Sequence, residues 1–133
     1  MNVLPGTIKE IITEGDLSLV KVEVLDTTFK SIVVENPQTS HYLKIGHQVN
    51  LLFKETEVVI GLPDADHISL QNRMLCEIQH INKGKLLSDL SLSFKQHTLN
   101  AVITSHAVEQ LKLQPQDQVV ALIKTNEIML SPV

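Results

Sequence analysis

Two lysines stand in the same phrase, seventy positions apart. Lys54 lies in LLFKETEVVI, residues 51 to 60, and Lys124 in ALIKTNEIML, residues 121 to 130. Each follows an apolar run and precedes a polar turn with a glutamate, so its ammonium either reaches water at a strand end or meets an anion. A single such lysine reads as a strand end, and recurrence in the same register leaves strand end and ligand contact both open. Alone, Ser69 is a linker residue, and Thr104 and Ser105 are helix caps.

The phrase recurs because the chain is written twice. A shift of seventy aligns residues 2 to 60 with 72 to 130 without a gap. It pairs Ile8 with Ile78, Leu17 with Leu87, Ser18 with Ser88, Thr28 with Thr98, Leu43 with Leu113, Val49 with Val119 and Glu57 with Glu127. Tandem duplication explains an ungapped register of that length. GLPDADHIS, residues 61 to 69, has the composition of a linker, and the expected division is 1–63, a linker at 64–68, and 69–133.

Each copy reads as five strands. In the first these are GTIKEII, LSLVKVEVL, FKSIVVE, QVNLLFK and EVVIGL, with Val20, Val22 and Val24 alternating against Leu19, Lys21 and Glu23. One short helix is expected between the third and fourth strands of each copy. In the first it is NPQTSHYLK, with Asn36 as cap, Pro37 in the first turn and Gly46 beyond the end; in the second it is TSHAVEQLKL, capped by Thr104 or Ser105. The pattern predicts a mainly β protein of two tandem OB-like, five-stranded Greek-key barrels, each with one short helix. At about 60 residues, such a barrel is close to the lower limit for a self-sufficient core.

Composition narrows the function. The 133 residues are 43% hydrophobic and 20% charged, which is ordinary for a folded domain. A net charge of −4, no Trp and one Tyr argue against nucleic acid, which calls for a basic stripe and stacking aromatics. No apolar stretch is long enough to span a membrane. The start MNVLPGTIKE lacks signal-peptide character and Cys76 is the single cysteine, so a cytoplasmic protein is expected. The six histidines show no ligand spacing, Cys76 sits in the apolar run MLCEI as a structural thiol, and no phosphate loop or nucleophile elbow occurs. Neither catalysis, a metal-cation site nor an organic cofactor is expected.

The second copy, from SLQNRMLCEIQHINKGKL through NAVITSHAVEQLKL to DQVVALIKTNEIML, resembles the Mop-type molybdate-binding domain, the molbindin or TOBE-like family in its tandem form. The first copy is more diverged and keeps the LPGxI start. The resemblance implies binding of molybdate or tungstate for storage, buffering or molybdenum homeostasis, in a homotrimer that assembles six domains. It further implies that Ser69 and the amides of Leu70 and Gln71 wrap the anion and that Thr104, with Ser105 nearby, adds hydroxyls. Lys124 would come from a facing domain, and Lys54 is its counterpart in the first copy. The family's Ser-Ala-Arg-Asn is Ser69-Leu70-Gln71-Asn72 here, so the arginine position holds Gln71, and the glycine that follows is Cys76. With a motif so changed, the alternative is an assembly or regulatory protein that keeps the fold and has lost or changed the anion.

Overall fold

The computed structural model describes residues 1–133. The first repeat contributes β1 (Asn2–Glu14), β2 (Leu17–Val24), β3 (Thr27–Val33), β4 (Gln48–Phe53) and β5 (Val59–Gly61). The second contributes β6 (Asn72–Lys83), β7 (Leu87–Phe94), β8 (His97–Thr104), α1 (Ser105–Gln110), β9 (Gln118–Ile123) and β10 (Met129–Pro132). Alternation sets the faces as the sequence predicts: Val20, Val22 and Val24 of β2 are buried, as are Leu90, Leu92 and Phe94 of β7. Leu, Ile and Val dominate both cores, around Phe29 and Phe53 in one and Met74, Ile78 and Leu99 in the other.

The sequence repeat and the folded unit do not coincide. One sheet has the order β10-β4-β1-β2-β3 and the other β5-β9-β6-β7-β8, so each takes its fifth strand from the other repeat. The compact units are accordingly Val3–Phe53 with Lys124–Val133, and Met1–Asn2 with Lys54–Ile123. The expected boundaries at 1–63 and 69–133 mark the duplication, whereas the units change hands after Phe53 and after Ile123. A three-residue β5 and a four-residue β10 gain their hydrogen bonds only by pairing, β5 with β9 and β10 with β4.

The duplication reaches into backbone geometry. A bulge interrupts the pairing between Ile8 and Glu10 and again between Ile78 and His80. The β2–β3 turn places Leu25 at φ 56° and the β7–β8 turn places Lys95 at 54°. Gly46 adopts φ 92°, and its counterpart is Gln116 at 75°, so the backbone path persisted after the glycine was replaced.

The two expected helices differ. In the second repeat α1 forms, with the Thr104 hydroxyl oxygen accepting from the Ala107 N–H at 3.1 Å. In the first, 36–44 forms only turns, which corrects the expectation of a helix in each copy. Asn36 Oδ1 does accept from the N–H groups of Gln38 and Thr39, at 2.9 and 3.1 Å. The helix stops there because Thr-Ser-His propagates it poorly and because the Ser40 and Tyr42 hydroxyls both donate to the Glu35 carboxylate.

Gly6 of the LPGxI start has a steric reason. A Cβ there would stand 2.6 Å from Val22 Cγ1 and 2.8 Å from the Glu23 carbonyl oxygen, whereas the second repeat accommodates the buried Cys76 at this place. Gly6→Ala is expected to lower stability by about 1–3 kcal/mol, the usual range for overpacking. Urea denaturation followed by circular dichroism measures it, and an unchanged midpoint would show that the strand yields.

Candidate functional site

Lys54 and Lys124 occupy the same local structure. Each ends an extended stretch, with φ, ψ of −77°, 147° and −70°, 143°, and each precedes a short 3-10 turn, Glu55–Glu57 or Thr125–Glu127. The glutamate of the repeated phrase closes that turn, since Glu57 N–H donates to the Lys54 carbonyl and Glu127 N–H to the Lys124 carbonyl, both at 3.0 Å. Both lysines are exposed. They are also the first residues after the changes of unit that follow Phe53 and Ile123. The apolar half of the phrase therefore serves one sheet, and the turn and last strand serve the other.

This assignment sorts the candidate residues. Lys54, Ser69, Leu70, Gln71, Thr104 and Ser105 fall in one unit, and Lys124 falls in the other. Ser69 lies in a bend before β6, with Ser69 and Gln71 exposed and Leu70 half-buried. Thr104 is the exposed last residue of β8, the strand against which the 3-10 turn after Lys54 packs. Its oxygen accepts the capping bond, so its one hydroxyl proton remains to donate elsewhere.

Ser105 plays a different part. It is 4% exposed, its hydroxyl donates to the Gly84 carbonyl at 2.6 Å and contacts Ser88 Oγ at 2.8 Å, and its N–H donates to the Leu86 carbonyl at 2.8 Å. A serine has one hydroxyl proton, and here it is committed. Ser105 thus ties α1 to the β6–β7 turn and β7, and has no donor left for a ligand.

Asn2 is a residue whose importance sequence reasoning passed over. Its side-chain amide donates to the Asn100 carbonyl at 2.8 Å and accepts from the Asn100 N–H at 2.9 Å, so it pairs like a strand with the edge of β8. Asn2 is 4% exposed and its counterpart Asn72 is 1% exposed. The signal was present in the alignment, since both copies carry Asn at this register.

In the other unit, the positions equivalent to Thr104 and Ser105 are Val34 and Glu35. Glu35 accepts from Tyr42 Oη at 2.7 Å and from the Ser40 hydroxyl. Burial, followed by this contact with Glu35, raises the Tyr42 phenol well above its ordinary pKa. A cleft of about 390 Å³ lies alongside, lined by Val34, Glu35, Asn126, Ile128 and Met129 among others. No group of three His, Cys, Asp or Glu has metal-site geometry, and no helix is long and apolar enough to cross a membrane.

Residues 68–130 match the TOBE domain family. The fold matches a solved structure described as the cytoplasmic molybdate-binding protein ModG with molybdate bound. That likeness has a TM-score of 0.92 and 20% identity, and covers 99% of this chain and 96% of that one. A molybdate-binding protein from Sporomusa ovata matches at 34% identity over 44% of this chain and 88% of its own, with a TM-score of 0.43. Comparison with curated protein sequences finds no match. The TOBE match agrees with the resemblance stated for the second copy, and the ModG match supports the two-unit, OB-like β architecture.

Cys76 stands apart from the candidate site. It is buried, its Sγ lies 3.5 Å from the Met74 carbonyl, and burial pushes its thiol up to about 12. Native protein is expected to resist a thiol reagent at pH 8 and to react after unfolding, as titration of free thiol would show. Burial favours the protonated thiol. Its contribution to stability is therefore present below the ordinary value of 9.0 and is lost as pH rises towards about 12.

Proposed function

From a chain whose residues 68–130 match the TOBE domain family, we infer a binding protein for a tetrahedral oxyanion, molybdate or tungstate. The carrying observation is that one compact unit holds Lys54, the exposed bend at Ser69 to Gln71, and Thr104 with its unspent hydroxyl proton. A tetrahedral dianion has oxygens in every direction and no apolar surface. It is best held by several directed N–H and O–H donors together with one cation. Ser69 Oγ, the amides of Leu70 and Gln71, Thr104 Oγ1 and Lys54 Nζ make such a set. Local donors of this kind work despite a net charge of −4, because they act at contact distance. The molybdate bound to a protein of the same fold supports this choice of ligand.

The task that fits is storage or buffering of the anion in the cytoplasm, without catalysis. A homotrimer that brings six units together would cover apolar side chains exposed on the single chain, among them Ile45, Leu75, Leu86 and Leu87. Gln71, which stands where the family has arginine, leaves the lysine as the charged donor. We assign that part to Lys54 because it shares a unit with Ser69 and Thr104, whereas the resemblance implies Lys124 from a facing domain.

Isothermal titration of anion-free protein, with sulfate as control, tests the reading. Saturable binding of molybdate in the micromolar range is expected, with sulfate excluded, and silence towards molybdate and tungstate would overturn it. Lys54→Ala should weaken binding roughly 10-fold to 100-fold, the equivalent of a charged hydrogen bond of about 1.5–3 kcal/mol. The same loss in Lys124→Ala, with Lys54→Ala unaffected, would transfer the role to a lysine from a facing domain.

A further inference from the structure

The two repeats have ended with opposite chemistry at the turn that follows their third strand. The second repeat reads Thr104-Ser105 there and the first reads Val34-Glu35. Val34 is 78% exposed and offers no side-chain donor where Thr104 presents a hydroxyl. Glu35 adds a negative charge. Its carboxylate already collects the Tyr42 and Ser40 hydroxyl protons.

We propose that Glu35 acts as an internal anion that closes this unit to oxyanions, so that the chain takes up one oxyanion, at the Thr104 unit, instead of two. The proposal rests on the oxyanion-binding reading above and assigns its stoichiometry and its excluding residue. A dianion in the cleft beside Val34 and Glu35 would meet a fixed carboxylate, and two such charges about 4 Å apart repel by about 2 kcal/mol or more even in water. It would also have to displace the carboxylate from Tyr42 and Ser40 to gain their protons. Lys124, two residues before Asn126 of the cleft lining, does not restore the balance, because one ammonium faces three negative charges. In the other unit the position of Glu35 is taken by the neutral Ser105.

The same carboxylate explains why the first repeat lacks its helix. Glu35 draws back the segment from Ser40 to Tyr42, whereas at the equivalent place Ser105 is buried and α1 proceeds. Loss of the donor, gain of the charge and loss of the helix are thus linked changes in one repeat.

The test is the number of molybdate ions bound per chain, read by native mass spectrometry and by titration on the full chain. The wild type is expected to bind one. Val34→Thr combined with Glu35→Ser should raise the number to two. Glu35→Gln, which removes the charge at nearly constant shape but leaves one acceptor oxygen where the Tyr42 and Ser40 hydroxyls now use two, guards against misfolding of the double variant and should admit a second, weaker ion. Thr104→Val should abolish binding in the otherwise wild-type chain. Two ions per wild-type chain, or a Thr104→Val chain that still binds one, would overturn the proposal while leaving the oxyanion reading intact. A count that stays at one in both Glu35 variants, with native circular dichroism, would also overturn it. No binding to the wild type would remove the oxyanion reading and this proposal with it.

Discussion

Neither repeat owns all the strands of its sheet. The fifth position is filled by β5 in the sheet built from the second repeat and by β10 in the sheet built from the first. Strands of three and four residues are too short to hold by themselves, and an OB-like sheet of about 60 residues has little core to spare. Strand exchange therefore turns two marginal halves into one covalently joined fold, and it fixes where the chain must change units. Those points fall at Lys54 and Lys124, so the doubled phrase is first of all the crossover, with Glu57 and Glu127 closing the turns that make it.

The crossover also decides which residues share a unit. Because Lys54 begins the stretch that joins the second repeat, it shares a unit with Ser69 and Thr104, while Lys124 is grouped with Val34 and Glu35. A duplication with contiguous halves would have kept each lysine with its own repeat. Exchange pairs the lysine of one copy with the hydroxyls of the other, and the two pairings can then diverge. Here one holds hydroxyl donors and the other a carboxylate.

Much of this was legible in the sequence. Period-two alternation located β2, and the seventy-residue shift carried that reading to the second copy. The exchange was not legible, because β5 and β10 have similar composition and either could complete either sheet; only the pairing partner differs. The missing first helix was hidden for another reason: the capping signal at Asn36 is genuine and is used, but the competing bonds to Glu35 come from side chains whose direction the sequence does not state. Ser105 shows the same limit. As a residue type it suits an anion, and only the structure reveals that Gly84 already takes its proton. Asn2 and Asn72 repeated in register and could have been found; the role of Asn2 as an amide clamp on a strand edge needed the neighbouring strand.

The central claim is that a tetrahedral oxyanion sits beside Thr104, held by neutral donors and a lysine, and not beside Glu35. Crystals grown with molybdate, with diffraction collected at the molybdenum absorption edge, locate the ion directly by its anomalous signal. The account predicts a peak within hydrogen-bond distance of Thr104 Oγ1 and none in the cleft at Val34 and Glu35. A peak in that cleft, or none at Thr104 in protein saturated with molybdate, would contradict it.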